Sequence, residues 1–356
     1  MQAYISRGKA ATIVFGAALF LTAASAPAQG EPNVVVTIKP LHSIVSAVMQ
    51  GVGEPTLLID GGTSPHGFTL RPSQAEALQE SDLVVWIGPA LESTLDGSIE
   101  TLAHHATVLA AMEVDGITLH SYDDHAHDEH GYDEHGHDDH ATDDHGHDDH
   151  GHDDHGHDEH GHDDHAAEEH GHDEHDEHGH AHVGAYDPHI WMDPANAAVI
   201  AASTAHALSD IDPANAETYK ANATAFEGEL TDITARLTAQ LSPHHESPFI
   251  VFHDAYRYFR VRFDLENVVP MVVNPEVPPG ANRLEELREE ITHEGISCAF
   301  AEPQFTPRVL NAITDGLDVT VGTLDPLGAD LDAGPSMYSA LLQSNADAIV
   351  SCLSES

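Results

Sequence analysis

Between His120 and His182 lie 63 residues that contain 22 His and 24 Asp or Glu, no Lys or Arg, and almost nothing apolar. A stretch of this kind has no side chains with which to bury a core, so nothing in it offsets the entropy that folding removes. Its middle repeats a five-residue His-Gly-His-Asp-Asp unit through His145, His147, His150, His152, His155, His157, His160, His162 and His165. That period matches no solenoid or propeller. The fold must therefore come from the flanks, 29–119 and 183–356. Of the formal charge of −49, the tract supplies 24 negative charges and leaves −25 for the rest. A chain this acidic is repelled by nucleic acid and by anionic membrane surfaces. Imidazole beside carboxylate is instead ligand chemistry for divalent transition metals, and the tract reads as a set of weak auxiliary metal sites. The plainer alternative is a solvated spacer.

The first residues point to export. Arg7 and Lys9 precede an apolar run from Ala10 to Leu21 and a small-residue tail ending Ala26-Pro27-Ala28. This predicts a Sec-type signal peptide over 1–28 and a periplasmic mature chain, with an N-terminal anchor as the alternative. No later segment reaches the roughly 18 apolar residues of a membrane span. The two cysteines, Cys298 and Cys352, read as one disulfide in an oxidising compartment, against two buried free thiols. A bond closing that loop stabilises by about 3–4 kcal/mol in the chain-entropy picture.

Periodicity places elements on both flanks. Val34 to Ile38 is a β-branched run fit for a buried strand, Leu41 to Met49 has helical spacing, and Leu83 to Ile87 is a second apolar run. Ser73 with Glu76 predicts a capped helix between them. Strand, helix, strand order implies a parallel sheet. Beyond the tract, Asp212 and Pro213 predict the start of a helix over 212–242, with apolar positions at Tyr219, Phe226, Leu230, Ile233, Leu237 and Leu241. About 28 helical residues reach about 42 Å, enough to join two lobes as a rigid strut. A second α/β unit over 243–356 follows, with strands predicted at Phe249 to Phe252, Cys298 to Phe300 and Val319 to Val321. The expected fold class is therefore α/β, two lobes joined by one long backbone helix.

Ten His lie outside the tract. His104, His105, His206, His244, His245 and His293 sit in polar helical or linker contexts that need no function, and His42 opens the first helix in a packing context. Three others stand at element boundaries, where α/β lobes place ligand groups. His66 lies in a glycine-rich loop, His189 in a loop running into the helix that Asp193 and Pro194 start, and His253 directly after the strand Phe249 to Phe252. Asp325 offers a carboxylate past another predicted strand.

Five segments carry a family resemblance: SPHGFTLRPSQAEALQESDLVVWIGPALE at 64–92, DPHIWMDP at 187–194, FHDAYRYF at 252–259, CAFAEPQF at 298–305 and GTLDPLG at 322–328. In this order around an acidic His-rich insertion, they closely resemble the zinc-binding proteins of ABC importers, the ZnuA type. The resemblance implies a cluster A-I binding-protein fold with zinc in the interlobe cleft, His66, His189 and His253 as ligands, and a Cys298–Cys352 disulfide. Asp325 matches the Asp that completes the sphere in the superfamily. One departure is Pro65, where some members carry Glu, which leaves Asp325 or water as fourth ligand. His253 stands where manganese-binding relatives tend to have Glu.

Three imidazoles and one oxygen suit tetrahedral Zn²⁺, whereas manganese prefers more carboxylate and higher coordination. Three histidines with an open position also suit a metallohydrolase, but no carboxylate is assignable as general base. A periplasmic buffer built on the tract is the other alternative, and it leaves the three boundary histidines unexplained. The expected protein is thus a monomeric Zn²⁺ carrier that delivers its ion to an inner-membrane ABC permease. It is not an enzyme, does not insert into the membrane and does not bind nucleic acid. Its site, built from imidazoles with an ordinary pKa of about 6.5, is expected to lose affinity between about pH 7 and 5.

Overall fold

The computed structural model describes residues 30–122 and 185–355. The expected signal peptide and the tract histidines from His145 to His165 lie outside them. The chain runs β1 (Val34–Ile38), α1 (Lys39–Met49), β2 (Thr56–Ile59), α2 (Pro72–Gln79), β3 (Leu83–Trp86), α3 (Asp96–Leu102) and β4 (Thr107–Ala110) in a first unit. After the insertion come α4 (Pro194–Ile211) and α5 (Ala216–Leu241), then β5 (Phe249–His253), α6 (Arg257–Arg262), β6 (Val268–Val272) and α7 (Ala281–His293). The chain ends in β7 (Cys298–Ala301), α8 (Arg308–Thr314), β8 (Thr320–Thr323) and α9 (Met337–Glu355).

Each unit holds a four-stranded parallel sheet, ordered β2-β1-β3-β4 and β6-β5-β7-β8. The central strands β1, β3 and β5 are buried throughout, as continuous apolar runs in a covered parallel sheet must be. The three strands that periodicity does not place, β2, β4 and β6, are all edge strands. An edge strand is only partly covered, so its apolar signal is weak, and β6 even tolerates Pro270 because one side of its backbone needs no ladder partner.

The long helix begins later than its sequence predicts. Asp212 ends α4, its backbone N–H donating to Leu208 O, and its carboxylate takes bonds from Asn215 Nδ2 and Tyr219 Oη. Asp212 thus pins the turn between two helices, and Pro213 falls in that turn. The apolar stripe itself is as expected: Tyr219, Phe226, Leu230, Ile233, Leu237 and Leu241 are all buried. At about 1.5 Å per residue, α5 spans about 39 Å, and it packs on α1, α4 and α9. One continuous apolar core therefore runs from β1 through α5 to one face of β5, and a second cluster around Leu287 and Leu310 covers the opposite face of that sheet. Helix α2 also starts earlier than expected: Pro72 holds the first position, and Gln74 rather than Glu76 reaches back to the N–H of Arg71 at 2.8 Å. Cys298 and Cys352 form a disulfide that ties β7 to α9.

Several bonds join the lobes. The Lys39 ammonium, buried at the start of α1, donates to the carbonyls of Gly328 and Ala329 at 2.7 and 3.2 Å. Ser43 Oγ donates to Gly334 O, and Trp191 Nε1 donates to Pro326 O at 2.8 Å. No helix among the described residues is long and apolar enough to cross a membrane.

Candidate metal centre

Parallel strands place their carboxyl ends along one side of a sheet, and the loops leaving those ends meet in the cleft. His66 follows β2 in the loop 60–71, His253 is the last residue of β5, and His189 precedes the 3₁₀ turn Ile190–Met192 that leads into α4. Asp193 caps that helix by accepting the N–H of Ala195 at 2.8 Å, and Arg262 holds the same carboxylate through two 2.7 Å bonds. The segment bearing His189 is therefore fixed at its far end.

The three histidines converge. Each offers one ring nitrogen, and the three nitrogens lie within 4.8 Å of one another. Ring centroids are 5.1 Å apart for His189 and His253, 5.5 Å for His66 and His189, and 5.9 Å for His66 and His253. His189 and His253 are almost wholly buried, and His66 is half-buried.

Two carboxylates orient the rings. Nδ1 of His189 lies 2.7 Å from Asp187 Oδ1, and Nδ1 of His253 lies 2.7 Å from Glu302 Oε1. A carboxylate can only accept, so each Nδ1 carries the proton and each Nε2 keeps a lone pair. Those two Nε2 atoms face each other at 3.3 Å. A tetrahedral zinc with bonds of about 2.0–2.1 Å separates its nitrogen ligands by about 3.3–3.4 Å, so the spacing is that of a zinc pair. The space they enclose is about 10 Å³, walled by Trp191, Phe305 and Leu327. That is room for one ion or water.

Among the described residues no carboxylate holds the His66 ring. Burial, followed by the neighbouring His189 and His253, pushes its pKa from 6.5 down to about 3. A neutral imidazole ready to ligate is the form that results.

Asp325, expected as the fourth ligand with water as the alternative, does not lie among the three side chains grouped around the ion position. Its Oδ1 accepts from Gln304 Nε2 and from the N–H of Leu327, both at 2.9 Å, and its Oδ2 accepts the N–H of Ala329 at 2.5 Å. The carboxylate is spent on shaping the turn 325–329, which in turn receives Lys39. His42 donates from Nε2 to Pro55 O at 3.0 Å and is not among the three grouped histidines. Asp187 and Glu302 were not singled out from sequence. Asp187 stands two residues before His189 and was legible as a local partner, whereas Glu302 is 49 residues from His253 and only the β5–β7 pairing brings them together.

Residues 34–352 match the family model of ZnuA, zinc-uptake complex component A, periplasmic. The chain belongs to this family. It is 44% identical over 327 residues to the high-affinity zinc uptake system protein ZnuA of Brucella suis biovar 1 (strain 1330), covering 91% of this chain and 92% of the relative. With the protein of the same name from Paracoccus denitrificans (strain Pd 1222) it shares 39% identity over 344 residues, 96% of this chain and 98% of the relative. Among solved structures, a crystal structure of ZnuA superposes with a TM-score of 0.68 at 23% identity, over 90% of this chain and 98% of the other. The periplasmic zinc-binding protein TroA from Treponema pallidum gives 0.67 at 20% identity, over 91% and 99%. These two show a shared two-lobed α/β fold. Family membership makes the chain a solute-binding protein and not an enzyme.

Proposed function

We propose that this protein captures Zn²⁺ in the periplasm with His66, His189 and His253 and hands it to a membrane ABC permease for uptake. The observation that carries the reading is the pair of lone-pair-bearing Nε2 atoms 3.3 Å apart, each backed by a buried carboxylate. The two carboxylates behind the imidazoles also supply negative charge near the cation without occupying its coordination sphere. The three nitrogens favour zinc over manganese, and water takes the fourth position, since Asp325 is engaged elsewhere. The chain acts as a monomer, exported by the signal peptide over 1–28. The His120 to His182 tract gathers several ions weakly and raises supply to the cleft.

The test is chelator-competition titration of the full chain and of a chain lacking residues 123–184. One tight zinc site persists in both; a buffer protein would keep none after the deletion. Growth of a strain lacking its own carrier, complemented with either chain under graded chelation, checks the tract. The shortened chain supports growth in zinc-replete medium and falls behind only under scarcity.

A further inference from the structure

The two histidines whose Nε2 atoms stand 3.3 Å apart are 64 residues distant in sequence. Their spacing depends on what locks the segment 186–192 against β5 and α6. At this place the two ends of the acidic insertion are zipped together. Ser121 and Tyr186 form an antiparallel bridge, the N–H of Tyr122 donates to Ala185 O at 3.3 Å, and the N–H of Asp187 donates to His120 O at 2.9 Å.

Helix α6 grips this stem with consecutive residues. The fully buried Tyr258 hydroxyl donates to Asp187 O at 2.8 Å and accepts the N–H of His120 at 3.1 Å, and its ring packs on the His120 ring with centroids 4.8 Å apart. Arg257 donates from Nη1 to Ser121 O, pairs through Nη2 with Asp254 at 3.1 Å, and lies 5.6 Å from the Tyr122 ring centroid. Asp187 goes on to hold Nδ1 of His189, while Asp254 is the residue after His253.

We propose that Tyr258, seconded by Arg257, is a positioning residue for the metal centre, fastening the stem of the insertion to the chain that bears His253 and thereby setting where Asp187 holds His189. Only a hydroxyl both gives and takes a bond at this point; phenylalanine has the same ring and does neither. The stem and the centre then form one mechanical unit, and the insertion is attached at the one place where its ends bear on two ligands. This rests on the zinc-capture reading above.

The experiment is a double-mutant cycle in the full chain with Tyr258→Phe, Asp187→Ala and both, reading tight-site zinc affinity by chelator competition and site geometry by the visible spectrum of the cobalt(II) form. Tyr258→Phe is expected to weaken zinc about tenfold and shift the cobalt bands, within the roughly 10–100-fold range of outer-partner losses. In the Asp187→Ala background it should add less than about twofold, because the hydroxyl acts on His189 through the side chain which that variant lacks. Multiplying losses, or wild-type affinity and spectrum in Tyr258→Phe, overturn the proposal. If that variant fails to fold, Arg257→Lys carries the comparison: unchanged affinity and cobalt spectrum overturn it, and a shift in both supports it. A wild-type chain with no tight site removes the function itself, whereas a tight site that ignores these substitutions removes only this inference.

Discussion

In the first lobe His66 rides on a glycine-bearing loop, half-buried and, among the described residues, with no carboxylate on its ring, whereas in the second lobe His253 ends a central strand, is 2% exposed and leans on Glu302. The two sheets have the same strand order, so topology alone does not account for this difference. A ligand at the end of a hydrogen-bonded strand inherits the rigidity of the sheet. One on a loop gains its place from loop packing, and can approach an ion already held by the other two. The comparison suggests a division of labour in which His189 and His253 form a preset pair and His66 completes the site.

Removing members of the pair is the most direct way to break that division. His253→Ala and His189→Ala are expected to weaken tight zinc binding by well over 100-fold, more than the roughly 10–100-fold cost of losing an outer partner. His66→Ala should cost less than either. Chelator-competition titrations of the three variants rank them, and an equal or greater loss at His66 would remove the distinction between the lobes.

The next effect isolates the carboxylates. Asp187→Asn and Glu302→Gln keep the shape but lose the charge behind each imidazole, and each is expected to lower zinc affinity about 10–100-fold. Cobalt substitution should report a ligand set that is still three nitrogens.

Acid sharpens the comparison further. Because the folded-state pKa of His66 is about 3 against an ordinary 6.5, an unfolded chain takes up a proton below pH 6.5 that the native chain refuses. Native stability therefore falls as pH drops from about 6.5 toward 3. In metal-free protein, thermal melting from pH 7 to pH 4 should fall more steeply for the wild type than for His66→Gln. With that pKa the His66 ring is already neutral between pH 7 and 5 and needs no deprotonation there to bind zinc.

The smallest effect lies away from the cleft. Glu92 is fully buried in the first lobe, where burial outweighs its bonds from Thr37, Ile87 and Gly88 and raises its pKa from 4.5 to about 7. Between those values the folded chain keeps a proton that the unfolded chain has lost, so stability falls as pH rises through the window. The size is about 1–3 kcal/mol. Denaturant unfolding of metal-free Glu92→Gln at pH 5 and pH 8 should lack this component, and an identical slope in variant and wild type would show that Glu92 titrates normally.

Central strands, the α5 stripe and the three histidines were legible because burial writes a local pattern. Val34 to Ile38 can only be a covered strand, and Tyr219 to Leu241 repeats by threes and fours. Edge strands β2, β4 and β6 were not, since half-exposure dilutes that pattern. The start of α5 was misplaced because Asp212 and Pro213 make a good helix opening in isolation. Only the bonds from Tyr219 and Asn215 reveal that Asp212 closes the turn between α4 and α5.

Sequence by itself determined the fold class, the cysteine pair that becomes the disulfide and the residues able to bind a transition metal. Each of these depends on residue type, spacing or local periodicity. The tertiary structure decided which of them act together. It put Glu302 behind His253, withdrew Asp325 into the turn 325–329, and set Tyr258 against both ends of the insertion. A hydrogen bond is decided within a few tenths of an ångström between atoms whose chain separation carries no such information, and only the packed lobes supply that distance.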